Sequence, residues 1–190
     1  FRQMLGGRQR PISLEMPMDI MAATGDVQAL PAAVIPTGPA LDQDAINAAA
    51  KLLAGAKRPL IIAGGGSLAA GADVERLAEF LQAPVVSFRS GRGIVSDRSH
   101  LSQMFPAGND LWKTADVIIG LGSRMEQQYL YWGIGPDMKI IRIDIDGDEF
   151  DRIKTPDVRV HADAADAVPA LIEALERITT PAASREEELM

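Results

Sequence analysis

The chain has 190 residues, 47% hydrophobic and 24% charged, with 19 basic against 26 acidic side chains and a net charge of −7. This is the balance of a folded globular domain, which excludes global disorder, and its acidic sum argues against nucleic acid, whose phosphates call for a concentrated basic surface. The lack of cysteine removes disulfides, thiolate nucleophiles and cysteine zinc sites, while His100 and His161 are too few to suggest a metal centre. No apolar run nears the roughly 20 residues of a membrane span, and no signal peptide is legible, so the cytoplasm is the expected location.

In chain order, "PISLEM" at 11–16 alternates loosely as a strand would, before Pro17 breaks it. Residues 22–41 hold prolines and glycines without a period, the composition of an extended linker. Asp42 is a good N-cap for a helix that places Ile46, Ala49, Ala50 and Leu53 on one face. The apolar run "PLIIAG" follows as a strand, then a glycine turn, then a helix over 72–82 with Val74, Leu77, Ala78 and Leu81 inward. Next come a strand "PVVSF" at 84–88, a glycine-rich loop, and a short helical stretch around 108–114. Two more strands are expected at 115–122 and 139–146, then a short strand "DVRVHAD". A terminal helix capped by Asp163 carries Pro169 inside it, and the polar tail 179–190 reads as frayed.

Four or five Val/Ile-rich runs without alternation are strands buried on both faces. Separated by helices, they predict a doubly wound, parallel, Rossmann-like α/β sheet, with any ligand crevice beyond the strands' carboxyl ends.

Two glycine edges belong to that crevice. Gly64, Gly65 and Gly66 open "GGGSLA", which formally satisfies G-x-G-x-x-G/A. A standard dinucleotide site also needs a carboxylate at the end of the next strand, where this chain has Arg89, and Ala70–Gly71 sets the helix back from the turn. A tight corner and a phosphate cradle both remain open. The second edge is Gly122–Ser123–Arg124, where Arg124 suits a phosphate or a nearby Glu126. Asp144 and Asp146 stand two apart, and Asp146 suits either ribose hydroxyls or a helical cap. Catalytic candidates are absent: there is no G-x-S-x-G, no H-E-x-x-H, and "GDE" at 147–149 has no companion for a magnesium diphosphate motif. The aromatic run "QQYLYW" at 127–132 suits a subunit interface or a substrate channel, and with Met125 and Leu130 the interface is preferred.

Five phrases in this order carry a resemblance: "RPISLEMPMDI", "AAKLLAGAKRPLIIAGGG", "LAEFLQAPVVSFRSGRGIVSDRSH", "ADVIIGLGSRM" and "IIRIDIDGDEFDRI…VRVHADAADAVPALIEAL". From about Arg10 to Ile178 the chain resembles the central domain of thiamine-diphosphate-dependent enzymes such as acetolactate synthase, benzoylformate decarboxylase and pyruvate oxidase. The resemblance implies residues 1–20 as the end of a preceding pyrimidine-binding domain, 21–41 as linker, 42–178 as a six-stranded central domain and 179–190 as tail. It implies no catalytic residue here, and a scaffold between domains that hold thiamine diphosphate and Mg²⁺. It also implies a homo-oligomeric parent acting on a 2-keto acid, by attack of the thiazolium carbanion and loss of CO₂. In some relatives this domain holds FAD or an ADP or CoA moiety, at positions matching Gly64–Gly66, Gly122–Arg124 and Asp144–Asp146. Where acetolactate synthases usually read Arg-Phe-Asp-Asp-Arg, this chain has Arg124-Met125-Glu126-Gln127-Gln128. The rivals are a free-standing nucleotide-binding module and a pure interaction domain.

Overall fold

A computed structural model describes residues 1–87 and 89–190, and the chain divides at Gly38/Pro39 into two units. The first contains two single-turn helices, α1 (Arg2–Leu5) and α2 (Met18–Met21), and no buried residue. Residues 11–16 have no regular structure and pair with no strand among the described residues, so "PISLEM" is not a β-strand within this unit. Extended backbone becomes a strand only when another strand takes up its amides and carbonyls.

The second unit is one parallel sheet of six strands in the order β3-β2-β1-β4-β5-β6. These are β1 (Pro59–Ala63), β2 (Val85–Ser87), β3 (Ser102–Gln103), β4 (Val117–Leu121), β5 (Lys139–Asp144) and β6 (Val158–His161). Every residue of β1 and β4 is buried, which is why their sequences run apolar without alternation. Alternate side chains nevertheless serve two cores. Ile61, Ala63, Val85, Ile119, Leu121, Ile141, Ile143 and Val160 pack beneath α3 (Gln43–Ala54), α4 (Gly71–Leu81) and α6 (Ala164–Glu176). Leu60, Ile62, Val86, Ile118 and Ile140 face the other way, toward α5 (Phe105–Thr114) and its fully buried Trp112. Asp42 caps α3 as expected, accepting from the amides of Asp44 at 2.9 Å and Ala45 at 3.2 Å.

Three elements depart from the sequence reading. Strand β3 escapes detection because it is two half-buried polar residues at a sheet edge, paired with Val85 and Val86. Helix α5 begins at Phe105, three residues earlier than expected, with Pro106 accommodated in its first turn, where a missing amide costs nothing. The tail is not frayed. It ends in α7 (Glu186–Leu189), with Leu189 packed on the core, the Ala182 amide bonded to the Phe80 carbonyl and Arg185 reaching Gln82. The expected strand "PVVSF" is present as Val85–Ser87, and Phe88 lies outside the described residues.

Candidate functional site

The strand order reverses direction between β1 and β4, which makes their carboxyl ends the topological switch point. Both glycine edges are there. Gly64, Gly65 and Gly66 follow β1, and Gly122, Ser123 and Arg124 follow β4. The two loops rest on each other through bare backbone. A Cβ on Gly66 would lie 2.8 Å from the Gly122 Cα, and one on Gly122 would lie 2.5 Å from the Gly66 Cα and 2.7 Å from the Ser67 nitrogen. A Cβ on Gly64 would lie 2.8 Å from the Ser123 Cα and would run into the Gly122 carbonyl. Gly122 also has φ +52°, in the left-handed region that glycine enters freely.

Two amides of the glycine turn are engaged across this seam. Gly64 N–H donates to the Leu121 carbonyl at 2.9 Å, and Gly66 N–H to the Gly122 carbonyl at 3.2 Å. The buried Ser67 hydroxyl turns back to the Gly64 carbonyl at 2.8 Å. Over Gly65 stands the Ser90 side chain, 3.0 Å from where its Cβ would be. Beyond the turn the chain forms a 3-10 helix, Gly65–Ala70, before α4 starts at Gly71. Protein backbone thus occupies the space that the missing side chains of Gly64, Gly66 and Gly122 leave.

One strand further, between β4 and β5, the site is built of side chains. Arg142 points out of β5 into the α5 face of the sheet, with 2% of its side chain exposed. Its guanidinium donates to Asp144 at 2.8 Å and to the Glu149 carbonyl, and lies 5.5 Å over the Phe150 ring. The Asp144 carboxylate is thus committed inside the fold, its other oxygen accepting from the Asp146 amide at 3.0 Å. Asp146 lies past the end of β5, so the two aspartates do not share a strand face as their spacing suggested. It caps the turn Gly147–Glu149, accepting from the Asp148 amide at 3.3 Å.

Arg124, Glu126, Arg142, Glu149, Arg152 and Ile153 line a pocket of about 180 Å³. That figure includes space open to solvent, and no enclosed room for a water molecule remains within it. Arg152 bridges Glu149 at 3.3 Å and Glu126 at 4.0 Å, whereas Arg124 is exposed and makes no ion pair among the described residues. The sequence reading missed Arg142, Glu149 and Arg152. A signal was present for the first: an arginine within "KIIRIDID", at a position that must face inward, demands a buried acceptor.

The aromatic run forms a π-helical turn, Gln128–Trp132, entered through Met125 at φ +50° and left through Gly133 at φ +78°. Its inner residues are core rather than interface. Met125 is 2% exposed against Gly120, and Tyr129 is 8% exposed, edge-on to Trp112 at 6.5 Å. Burial pushes the Tyr129 phenol up to about 12, against the opposing pull of the Arg142 charge and with a smaller upward push from Asp157. The tyrosine hydroxyl and the Arg142 Nε are buried without a hydrogen-bond partner among the described residues. Among the described residues no three His, Asp or Glu side chains converge as a divalent cation requires, and no helix is long and apolar enough to cross a membrane.

Residues 46–171 match the family described as thiamine pyrophosphate enzyme, central domain. The chain is 32% identical over 189 residues to the acetolactate synthase isozyme 1 large subunit of Escherichia coli (strain K12), covering 93% of this chain and 33% of that protein. A probable 2-ketoarginine decarboxylase of Pseudomonas aeruginosa is 31% identical over 94% of this chain and 34% of its own length. Oxalyl-CoA decarboxylase of E. coli (strain K12) is 30% identical over 95% and 34%. The chain therefore spans about a third of the length of the relatives it matches. With a parallel six-stranded sheet and a family match over most of its length, this chain belongs to the thiamine pyrophosphate enzymes, as their central domain.

Proposed function

We propose that this chain works as the non-catalytic scaffold in the middle of a longer thiamine-diphosphate-dependent enzyme, a decarboxylase or synthase of 2-keto acids in the cytoplasm. The carrying observation is the β1/β4 seam. The glycines that would cradle a nucleotide are used to bring Gly66 and Gly122 into backbone contact. A cleft bound shut in this way stiffens the domain at the end of the sheet where a cofactor domain would otherwise bring its ligand. Residues 1–20 then end a preceding pyrimidine-binding domain, 21–41 link it to the central domain at 42–178, and 179–190 are the tail. In this reading thiamine diphosphate and Mg²⁺ are held by the other domains, and the parent is a homo-oligomer.

A second reading, a nucleotide-binding module for FAD, ADP or CoA, is favoured by one observation. Arg124 is exposed beside Arg152 at the mouth of the β4/β5 pocket, where two guanidinium groups suit a phosphate. Gly64, Gly65, Gly66, Gly122, Ser123, Arg124, Asp144 and Asp146 would then approach the ligand.

A thermal-shift titration of the 190-residue chain separates the two. Ligand at about 100 times its dissociation constant stabilises a fold by roughly 2.7 kcal/mol, a readable change. The scaffold reading expects no shift with FAD, ADP, CoA, NAD or thiamine diphosphate plus Mg²⁺. It also expects the longer polypeptide to release CO₂ from a 2-keto acid only when thiamine diphosphate is supplied. A saturable shift with ADP or FAD selects the second reading, and a shift with thiamine diphosphate overturns both.

A further inference from the structure

The π-helical turn has an outer side that the core does not use. Leu130 is 57% exposed, Tyr131 78% and Ile134 37%, although Tyr129 and Trp132 on the same turn point inward. The turn is held firmly. Trp132 packs at a tilt on Phe105 with ring centroids 4.6 Å apart and meets Trp112 at 5.7 Å, and the Trp112 indole N–H donates to the Gly133 carbonyl at 2.6 Å. Met104, next to Phe105, adds a further exposed apolar side chain. The ten residues 127–136 carry no charge, in a chain that is 24% charged. A left-handed methionine and a π-turn are costly local choices, and both concentrate where a surface has work to do. Apolar and aromatic side chains on a charge-depleted surface are the composition of a contact core, and folded proteins seldom expose such a patch without use.

We infer that Leu130, Tyr131, Ile134 and Met104 form the surface on which a flanking domain of the same polypeptide docks. The inference rests on the reading above, that this is the middle portion of a longer enzyme. The relatives supply the argument for the occupant: each is about three times the length of the region matched, so two thirds of such a chain lies outside this domain and must be packed somewhere. A polar or charged partner would leave the uncharged stretch 127–136 without complementary groups. The docking surface must itself be apolar.

Hydrogen exchange tests this on the 190-residue chain and on the full polypeptide that contains it. Amides 128–134 should exchange at least about tenfold more slowly in the full polypeptide, because docking removes the local openings through which they exchange. The pair Leu130→Ser with Tyr131→Ser, both exposed, should abolish that difference, whereas Tyr131→Phe and the remote Ile178→Ser should keep it. Equal exchange in both chains, or slowing that the serine pair leaves intact, overturns the docking surface. Slowing that grows with the concentration of the 190-residue chain overturns it in favour of a second copy. If the native polypeptide proves by mass to hold no further domains, it is the scaffold reading that has failed. A longer polypeptide with unprotected amides at 128–134 sinks the docking proposal alone.

Discussion

The carboxyl end of this sheet solves two neighbouring seams in opposite ways. Between β1 and β4 the chain removes side chains and lets Gly64, Gly66 and Gly122 meet backbone to backbone. Between β4 and β5 it inserts a large one, Arg142, and builds a polar network around it from Asp144, Glu149 and the Phe150 face. The first seam has the letters of a phosphate loop and the geometry of a joint. The second lies in a buried strand that carries the charges of Arg142 and Asp144 inward and borders the charged pocket. A glycine in sequence says only that a Cβ is unwelcome. What stands in the vacated space, ligand or protein, decides its meaning, and here it is protein.

The sharpest way to break this contrast is to put methyl groups into the glycine seam. Gly122→Ala combines the left-handed strain at φ +52° with overlap on the Gly66 backbone, which has no flexible end to give way. A loss of about 3–4 kcal/mol is expected from strain and overpacking together. Gly64→Ala should cost a similar amount. Gly65→Ala meets only the Ser90 side chain at 3.0 Å and should cost about 1 kcal/mol or less. Urea midpoints of the three variants, without any ligand, give the order. If all three were tolerated alike and only a ligand's affinity fell, the glycines would be a cradle after all.

The arginine seam should respond differently, because its groups depend on one another. Arg142→Met leaves the Asp144 carboxylate buried without its partner, a change that typically costs about 3–5 kcal/mol. Adding Asp144→Leu should recover most of that loss, since an apolar pair of similar volume often replaces a buried ion pair at little cost. A double-mutant cycle in urea would show a large favourable coupling. Additive losses would mean that the backbone bond to Glu149, rather than the ion pair, is what Arg142 supplies.

How far the sequence reaches follows the same division. The strands β1, β4 and β5, the caps Asp42 and Asp163, and the inward faces of α3 and α4 are all legible, because burial on both faces and helical periodicity act locally. The parallel sheet follows from their alternation. Strand β3 is not legible, since two polar residues become a strand only through what β2 offers them. The site divides likewise. Both glycine edges are visible as motifs, but their mutual contact joins residues more than fifty positions apart, and no spacing rule encodes it. Met125 was expected at an interface because aromatic neighbours suggested exposure. It is buried because Gly120 opens a slot in β4 for its side chain.

Tyr129 packs in the core against Trp112, its phenol buried with no hydrogen-bond partner among the described residues. Its ordinary value of 10.0 is pushed up to about 12 by burial, so the folded state holds the proton more tightly than the unfolded chain. The stability tied to that proton is fully present below pH 10. It is lost as pH rises from 10 to 12, by about 1.4 kcal/mol for each unit of difference. Tyr129→Phe should flatten this alkaline loss and leave stability near neutral pH within about 1 kcal/mol, because the hydroxyl forfeits no bond. Urea midpoints at pH 8 and pH 11.5 check both halves. A loss at pH 8 as large as that at high pH would mean that the hydroxyl does hold a partner in solution.

The smallest effect is expected at the tail, where sequence and structure disagree most plainly. Polar composition suggested fraying, yet α7 returns to the sheet, with Arg185 bonded to Glu188 at 2.9 Å and Arg58 3.6 Å from the same carboxylate. The hydrogen bond from Arg185 holds the Glu188 carboxyl below its ordinary value, against a small upward push from burial and with further help from the Arg185 and Arg58 charges. The folded state therefore favours the charged form. Its contribution is present above the ordinary carboxylate range and is lost as pH falls through and below it. Glu188 and Arg58 are exposed while Arg185 is mostly covered, so solvent and salt still screen the carboxylate's charge. Glu188→Gln should leave the urea midpoint of the domain unchanged while amide exchange across 185–190 quickens about three- to tenfold through local opening. The same quickening should appear in the unaltered chain as pH is lowered past the carboxylate range, once intrinsic exchange rates are corrected for pH. If Glu188→Gln changed nothing in exchange, the tail would be held by Leu189 on the core and by its bonds to Phe80 and Gln82, and the ion pairs would be passengers of those contacts.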